Sequence, residues 1–461
     1  MKKIKKIFKE LKAYFGNDFV TDYEIIKSYT EDESSFKTDV RPLGVVYPKT
    51  TEDVSIIAKK CYKYKVPYVV RGAGTGKSGG AVPLKPSIIV SLERMTSMQI
   101  IKEDMIAYVQ PGVIVANLQK EAINHALFYP VDPASLDVST IGGNIAENSG
   151  GPRAFKYGVT RDYVLGIEVV LPDGTITSFG SKTRKNVTGY SIKDIFIGSE
   201  GTLGTITGAY IKLIPYPRYR ILLWAVFNEM EKAINAMNKI YISGTTPSAI
   251  EFIEGRALKS VESLKKEKIQ YSEYNMHLLI ELDGNTINYV EEEAKTVYSL
   301  IKNESEKVMI APFSTTQKQV WEIRRIISEA TKYISYNKLS EDITIPISRL
   351  SSFLKDIKQI EMDNGVDVIC YGHIGDGNIH VNILNTKDET SIIWEGAKNK
   401  VLDTIFSKVI EYEGVLSGEH GIGITKKKYF LKYEKKINIE LHKKIKHIFD
   451  PKNLLNPGKI W

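Results

Sequence analysis

The chain has 461 residues, and its 63 Lys and Arg against 55 Asp and Glu give a formal net charge of +8. Because a single hydrophobic core rarely grows beyond roughly 250–300 residues, this length predicts two domains. The two cysteines, Cys61 and Cys370, exclude a disulfide framework and an iron–sulfur cluster held by four thiolates of this chain. The positive charge is mild and scattered, which argues against a nucleic-acid partner.

The first predicted element is a basic helix at the N-terminus. Its apolar residues recur at helical spacing: Ile4, Ile7, Phe8, Leu11 and Phe15. The segment lacks the apolar region of a secretory signal, and the longest apolar run, 221–227, is far below the roughly 20 residues of a spanning helix. We expect a helix docked on the protein surface in a cytoplasmic chain, with peripheral membrane attachment as the open alternative.

Strands and helices alternate along the next part of the chain. A strand at 45–48 precedes a helix from Thr51 to Cys61 and a strand at 66–70. Asp173-Gly174 lies between two β-rich runs and predicts a hairpin. Around Pro215 and Pro217 a glycine-rich part gives way to a part richer in Lys and Glu, which makes this the predicted domain boundary.

Residues 71–80, RGAGTGKSGG, form a glycine-rich loop after a predicted strand. A P-loop requires glycine five residues before Gly76, where this chain has Arg71. A P-loop and a dinucleotide fingerprint both require a helix next, but Gly79 and Pro83 follow. Backbone N–H groups of such a loop can surround a pyrophosphate, and a flexible surface loop is the alternative.

Two histidines flank a second turn signal. Asp376-Gly377 favours a two-residue turn, which pairs His373 with His380 on one face of a hairpin. That spacing suits two imidazoles on one divalent metal, and we favour a metal site over two packed histidines. The loop 417–423 offers Glu419 and His420 nearby, although these residues alone equally suit a solvated loop.

Three long strings carry a family resemblance: RGAGTGKSGGAVPL, YPVDPASLDVSTIGGNIAENSGGPRAFKYGVTRDYVLGIEVVLPDG and GYSIKDIFIGSEGTLGTIT. They resemble the FAD domain of the vanillyl-alcohol-oxidase superfamily, and within it the glycolate oxidase D-subunit and D-lactate dehydrogenase group. The resemblance runs from about residue 38 to the end. It implies an α+β fold with a PCMH-type FAD-binding domain of two subdomains, an α/β substrate (cap) domain with an antiparallel sheet, and a C-terminal tail that returns to the FAD domain.

The resemblance also implies bounds and cofactor contacts. The predicted parts are an N-terminal helical segment (1–37), the FAD-binding domain (38–217), the cap domain with the histidine hairpin (218–414) and a C-terminal segment (415–461). FAD is expected to be non-covalent, because the first loop has no histidine. The residues implied to contact FAD are Arg71, Gly72, Ala73, Gly74, Thr75, Gly76, Ser78, Gly79, Gly80, Pro133, Ser139, Thr140, Gly142, Gly143, Asn144, Gly150, Gly151, Glu200, Gly201, Ile206 and Asn456. Lys77 stands where relatives usually carry leucine, and its role stays open.

For the reacting centre, the resemblance implies a divalent metal (zinc, iron or manganese). Its ligands would be His373, His380 and Glu419, with His420 as the general base. Arg324 matches the arginine that binds the substrate carboxylate, and Lys338 lies near the place expected for a second cation. The solvated interpretation suits Arg325 better than Arg324.

The implied reaction is oxidation of a D-2-hydroxy acid to the 2-oxo acid, with lactate first and glycolate or 2-hydroxyglutarate next. The metal lowers the pKa of the hydroxyl, His420 takes its proton, and hydride passes to N5 of FAD. Electrons then leave to an external acceptor, such as an electron-transfer flavoprotein or an iron–sulfur partner subunit. The alternatives are an oxygen-using oxidase, a non-catalytic FAD-binding subunit of a glycolate-oxidase-like complex, and the alkyl-transfer branch of the superfamily.

Overall fold

The structure is a computed structural model that describes residues 2–34, 36–386 and 391–461, without the side chains of 391 and 392. The chain folds as two compact units. The first unit comprises Met1–Gly150, Val159–Tyr216 and Glu419–Trp461, and the second comprises Gly151–Gly158 and Pro217–Gly418.

Both units contain helices and strands. The helices are α1 (Lys2–Phe15), α2 (Tyr23–Ile26), α3 (Thr51–Tyr64), α4 (Val115–Asn124), α5 (Ile141–Glu147), α6 (Ala154–Tyr157), α7 (Lys193–Phe196), α8 (Met230–Ile242), α9 (Gly255–Lys265), α10 (Ile287–Ile301), α11 (Ser314–Arg325), α12 (Ile327–Ile334), α13 (Leu350–Asn364), α14 (Ser391–Glu411), α15 (Lys427–Tyr433) and α16 (Lys436–Phe449). The strands are β1 (Phe19–Val20), β2 (Gly44–Val46), β3 (Tyr68–Arg71), β4 (Ile88–Ser91), β5 (Met98–Ile101), β6 (Ile106–Val109), β7 (Leu127–Phe128), β8 (Val164–Val170), β9 (Ile176–Gly180), β10 (Thr205–Lys212), β11 (Ile214–Pro215), β12 (Tyr219–Phe227), β13 (Ala249–Glu254), β14 (Met276–Gly284), β15 (Lys307–Ala311), β16 (Leu339–Thr344), β17 (Asp367–Gly372) and β18 (Asn378–Leu384).

The first unit is built on two main sheets. A four-stranded sheet has the order β1-β2-β4-β3, in which β2, β4 and β3 are parallel. A five-stranded antiparallel sheet has the order β5-β6-β10-β8-β9. Its β8–β9 hairpin turns at Asp173-Gly174, as predicted, with Gly174 at φ +90°. The C-terminal tail pairs Leu455 with Tyr68 of β3, which confirms that the tail returns to this unit.

The N-terminal helix is a docked element of the first unit. Ile7 and Leu11 of α1 are fully buried in a core that also contains Val54, Ile57 and Cys61 of α3. The helical spacing of these apolar residues therefore serves packing, as expected. Among the described residues, no helix combines the length and the apolar character that a membrane crossing requires.

The second unit is built on one seven-stranded antiparallel sheet in the order β15-β12-β14-β13-β17-β18-β16. Apolar side chains of one face, such as Trp224, Leu279 and Ile253, share a core with residues of α9, α11 and α12. Because side chains alternate along a strand, the register also places Glu251, Glu281 and Asp283 on this face. Acidic side chains therefore lie among the apolar residues of this sheet face.

The predicted register of the histidine hairpin is wrong. β17 and β18 do form an antiparallel hairpin, but Tyr371, not His373, lies opposite His380. The connection contains a 3-10 turn over Ile374–Asp376, and it closes at Gly377 with φ +81°. A Cβ at Gly377 would lie 2.2 Å from the backbone oxygen of Ile345, so only glycine fits there. His373 therefore lies in the connection rather than in the strand.

Candidate active site

The first glycine loop of the first unit leads by turns, without a helix, from β3 to β4 at Ile88. This confirms that the loop is neither a P-loop nor a dinucleotide-binding turn, since both need a helix at that point. The Arg71 side chain leaves the loop and donates from Nη1 to the backbone oxygen of Glu31 at 2.8 Å. Arg71, a predicted FAD contact, therefore bonds to the backbone of a neighbouring segment.

The other predicted cofactor loops meet this first loop. Gly72 packs so tightly that a Cβ there would lie 2.4 Å from Thr140 Oγ1, in the second loop. Asn456 of the tail donates from Nδ2 to the backbone oxygens of Gly80, at 2.9 Å, and Glu200, at 3.0 Å. The sequence prediction thus placed residues from four separate stretches together, and the structure brings them together.

Several polar atoms at this junction are buried without a partner. Within the described part of the chain, Ser78 Oγ, Ser139 Oγ, Asn144 Nδ2 and Asn456 Oδ1 have no hydrogen-bond partner. Burial of each such atom lowers the stability of the fold by about 1–3 kcal/mol unless a ligand or water supplies a hydrogen bond. A polar molecule that enters among the three loops would supply those partners, and the donors and acceptors fit the phosphates and ring edges of FAD.

The remaining predicted cofactor residues lie on the same loops. Gly142 and Gly143 form the first turn of α5, which Thr140 caps through a 3.3 Å bond to the Gly143 N–H. Ile206 is buried in β10, and Pro133 lies in the turn that precedes α5. Gly150 ends a first-unit segment, whereas Gly151 begins a segment that belongs to the second unit. Direct contact of each residue with FAD stays a prediction.

Glu200 has a structural role that the sequence did not indicate. Its carboxylate accepts the backbone N–H groups of Ile422, at 2.8 Å, and Gly423, at 2.6 Å. These bonds hold the loop that carries Glu419 and His420, whose Nε2 lies 3.8 Å from Glu419 Oε1. The third glycine loop therefore fixes the loop of the predicted base.

This part of the first unit also contains shifted acids and one shifted lysine. Burial, reinforced by the neighbouring Glu200 and Asp32, raises the pKa of Glu147 well above its usual range. Burial also raises the pKa of Glu200, against the two backbone donors that lower it. Lys459 donates to the backbone oxygens of Gly79 and Val82, and burial lowers its pKa to about 8.

In the second unit, the two predicted histidines are close together despite the changed register. The ring centroids of His373 and His380 lie 5.3 Å apart at an interplanar angle of 86°, and both residues are 7% exposed. The ring of Tyr371 lies 5.4 Å from that of His380. Two imidazoles at this separation have the chemistry of a metal-binding pair.

A buried carboxylate joins one of these histidines to the predicted carboxylate-binding arginine. Glu251 Oε1 lies 2.6 Å from His373 Nδ1, and Glu251 Oε2 accepts from Arg324 Nε. Arg324 is 6% exposed and stacks its guanidinium 5.0 Å from the Tyr371 ring centroid, whereas Arg325 is exposed, as predicted. Arg324 Nη2 is buried without a hydrogen-bond partner among the described residues, so one donor remains for a ligand.

Lys338 lies between α12 and β16, directly before the first residue of β16. Its Nζ donates to the Ser328 backbone oxygen and to Thr331 Oγ1, both at 2.7 Å, and reaches Asn382 Oδ1 at 3.5 Å. Asn382 follows His380 by two residues in β18 and therefore shares its face of the sheet. The structure thus brings Lys338 to the sheet face that carries His380.

Two further carboxylates on this face were missed by the sequence reasoning. Glu281 accepts from Arg153 Nε and from Trp321 Nε1, both at 2.9 Å. Burial raises its pKa, but Arg153 and Arg220 outweigh that effect and lower the pKa to about 2. Asp283 accepts from Lys156 and from Tyr157. The sequence signal for them was the pair of acids two residues apart, Glu281 and Asp283, in the apolar strand β14.

Asp342 in β16 holds the end of the second unit. By register it lies opposite His380. Its Oδ1 accepts from Asn378 Nδ2 at 2.6 Å, and its Oδ2 accepts from Ser417 Oγ at 2.8 Å and the Gly418 N–H at 2.9 Å. Asp342 therefore fixes the last two residues of the second unit, Ser417 and Gly418.

Comparisons with known proteins support the FAD assignment. Residues 42–180 match the family of FAD binding domains, and residues 216–460 match the C-terminal domain of FAD linked oxidases. The chain is 36% identical to the glycolate oxidase subunit GlcD of Bacillus subtilis, over 91% of this chain and 89% of that protein. It is 33% identical to a D-lactate dehydrogenase of Anaerostipes hadrus (95% and 93%) and 31% identical to a D-2-hydroxyglutarate dehydrogenase of Stutzerimonas stutzeri (96% of each).

Solved structures share the fold. A 4-ethylphenol oxidase from Gulosibacter chungangensis superposes with a TM-score of 0.80 at 18% identity, covering 100% of this chain and 98% of that one. A p-cresol methylhydroxylase superposes with a TM-score of 0.82 at 15% identity, covering 100% and 97%. The predicted α+β fold with a PCMH-type FAD-binding domain is therefore confirmed. Taken with the family matches and the close relatives, these findings show that the chain belongs to the FAD-linked oxidases and is an FAD-dependent oxidoreductase.

Proposed function

We propose that this oxidoreductase converts a D-2-hydroxy acid to the corresponding 2-oxo acid with the help of a divalent metal. The observation that carries the proposal is the buried group of His373, His380 and Arg324 in the second unit, in which Arg324 Nη2 has no described hydrogen-bond partner. The names of the relatives, which include D-lactate and D-2-hydroxyglutarate dehydrogenases, support this substrate class. Bound FAD supplies the hydride acceptor at its N5.

The proposed metal ligands are His373, His380 and Glu419. Two buried imidazoles and a carboxylate are donors that zinc, iron(II) and manganese all accept. His373 is already oriented by Glu251, and the chain reaches Glu419 from Gly418, which Asp342 holds. A metal at these residues supplies a Lewis acid for the substrate hydroxyl.

The remaining residues bind the substrate and move its proton. Arg324 donates from Nη2 to the substrate carboxylate, and Lys338 adds a second positive charge on the same unit. His420 takes the hydroxyl proton as the general base. D-lactate is the first candidate substrate, followed by glycolate and D-2-hydroxyglutarate.

The electrons are proposed to leave to an external acceptor, either an electron-transfer flavoprotein or an iron–sulfur partner subunit of a cytoplasmic complex. The chain has only two cysteines, both buried, and burial raises the pKa of each thiol. It therefore cannot hold a four-thiolate cluster of its own.

The proposal is tested by dye-linked turnover with D-lactate, glycolate, D-malate and D-2-hydroxyglutarate. Reduction of the dye by at least one D-acid, with little hydrogen peroxide formed in air, is the expected result. Stoichiometric hydrogen peroxide would instead indicate an oxygen-using oxidase. FAD-loaded protein that turns over none of these acids would contradict the proposal and favour a non-catalytic FAD-binding subunit.

A further inference from the structure

We propose that Glu251 is a positioning residue that fixes the tautomer of His373 and the orientation of Arg324 at the same time. This inference rests on the proposed metal site, and it assigns to one buried carboxylate the coupling between metal binding and carboxylate binding. None of the family matches or sequence motifs pointed to this residue.

Glu251 is buried, and its carboxylate bonds to two partners that are distant in the sequence. The residue is fully buried in the middle of β13, and each of its two oxygens serves a different partner. His373 lies 122 residues away in the chain, and Arg324 lies 73 residues away. The carboxylate therefore joins the hairpin connection to α11 across the face of the sheet.

The bond to His373 has a chemical consequence for the ring. A carboxylate only accepts hydrogen bonds, so the proton of the His373 imidazole resides on Nδ1, at 2.6 Å from Glu251. In that tautomer the other ring nitrogen, Nε2, carries the lone pair, which is the form in which an imidazole nitrogen binds a metal. A carboxylate behind a metal-binding histidine orients the ring and increases its basicity.

The bond to Arg324 links this arrangement to the substrate. Glu251 holds the guanidinium through Nε, and the aromatic ring of Tyr371 supports it from one face. The Nη2 group is thereby left for a ligand. A shift of the carboxylate would move the metal ligand and the carboxylate-binding group together.

Substitution of Glu251 by glutamine separates its hydrogen bond to His373 from its hydrogen bond to Arg324. Both partners donate to Glu251, but an amide offers one accepting oxygen and one donating NH₂ group. The amide side chain of the Glu251→Gln variant can therefore serve only one of the two donors. If the amide oxygen accepts from Arg324, the NH₂ group faces His373 and favours the tautomer with the proton on Nε2, which blocks that atom for a metal.

The experiment measures zinc affinity of the FAD-loaded, metal-stripped protein by competition with a chromophoric chelator. Glu251→Gln is expected to bind zinc about 10–100-fold more weakly than the wild type, the range for loss of such a partner. The FAD content should stay unchanged, because the cofactor loops belong to the first unit. An unchanged zinc affinity would overturn the inference.

A double variant separates positioning from general damage. In Glu251→Gln/Arg324→Met the amide oxygen has no competing donor, so it can accept from His373 Nδ1 again. This variant is expected to bind zinc more tightly than Glu251→Gln alone, although it lacks the substrate-binding guanidinium. If the double variant is as weak as the single variant or weaker, the tautomer argument is wrong.

Glu281→Gln is the matched control, because it also neutralises a fully paired, buried carboxylate on the same sheet face. It should keep the wild-type zinc affinity, and an equal loss in both variants would overturn the inference. If Glu251→Gln does not fold, Glu251→Asp replaces it; its shorter carboxylate cannot reach both partners, so weaker zinc binding is again expected. A wild-type protein that binds no zinc, iron or manganese would instead refute the proposed metal function itself.

Discussion

The two units present polar chemistry in opposite ways. In the first unit, backbone groups of glycine-rich loops meet, and polar atoms such as Ser78 Oγ and Asn144 Nδ2 stay unpaired within the described chain. In the second unit, the buried carboxylates Glu251, Glu281 and Asp283 each bind a basic side chain. The first arrangement leaves buried hydrogen-bonding atoms for a ligand to satisfy, whereas the second pairs its buried charges within the protein.

The largest effect is expected for the base. Replacing His420 by Ala should slow flavin reduction by substrate on the order of 10²–10⁴-fold, the usual contribution of a general base. FAD and metal contents should be retained, since neither depends on this imidazole in our proposal. Stopped-flow absorbance of the flavin measures the rate, and loss of metal from the variant would reassign His420 as a ligand.

Burial of His277 in the second unit predicts that the stability of the protein depends on pH. His277 accepts from Trp224 Nε1, and burial lowers its pKa from 6.5 to about 4. Between pH 6.5 and pH 4, His277 therefore binds a proton in the unfolded chain but not in the folded chain. The free energy of unfolding falls by about 3 kcal/mol as the pH decreases over this interval.

His277→Gln tests this dependence, because its amide can accept from Trp224 and donate to the Tyr274 backbone oxygen as the neutral imidazole does. The variant should lose less stability than the wild type over this pH interval, as measured by urea unfolding. Parallel curves for the two proteins would show that His277 does not titrate in this way.

A third substitution tests the anion-binding role of the second unit. Arg324→Ala removes a charged hydrogen bond worth about 1.5–3 kcal/mol, so KM should rise roughly 10–100-fold while FAD content stays normal. Arg325→Ala, next to it but exposed, should leave KM near the wild-type value. Equal KM values for both variants and the wild type would remove Arg324 from the site.

The smallest effect is expected in the first unit. Asn456→Ala removes two hydrogen bonds that hold Gly80 and Glu200, together worth about 1–3 kcal/mol. The purified variant should retain less FAD than the wild type but the same zinc affinity. Loss of both FAD and zinc affinity would contradict the proposal that the first unit binds FAD independently of the metal-binding histidines. In either protein, heat denaturation should release FAD into solution rather than leave it in the pellet, as expected for non-covalent binding.

The first unit was the more predictable one, because its site is made of contiguous glycine-rich strings whose residues stay neighbours in the fold. The approach of Gly72 to Thr140 and of Gly80 to Asn456 agrees with the loops that were predicted to meet. In the second unit, Asp376-Gly377 correctly indicated the hairpin, but its register was wrong. The space beside the Ile345 backbone, which decides the conformation of Gly377, depends on a neighbouring strand that a local pattern does not contain.

Glu251 shows the other reason for a missed residue. In sequence it is one of two acids in a largely apolar strand, which resembles an ordinary alternation with one face towards water. Only the fold brings His373 and Arg324 to its two oxygens, over separations of 122 and 73 residues. Pairs of this range depend on strand order, which a single sequence does not reveal.

We propose above that this flavoprotein removes hydride from a D-2-hydroxy acid. The most direct measurement is anaerobic mixing of the FAD-loaded, metal-loaded protein with D- and L-lactate, glycolate and D-2-hydroxyglutarate while the flavin absorbance is recorded. We predict bleaching of the oxidised flavin by D-lactate or another D-acid and none by L-lactate. Flavin that stays oxidised with every D-acid, or that L-lactate bleaches as fast as D-lactate, would contradict the account.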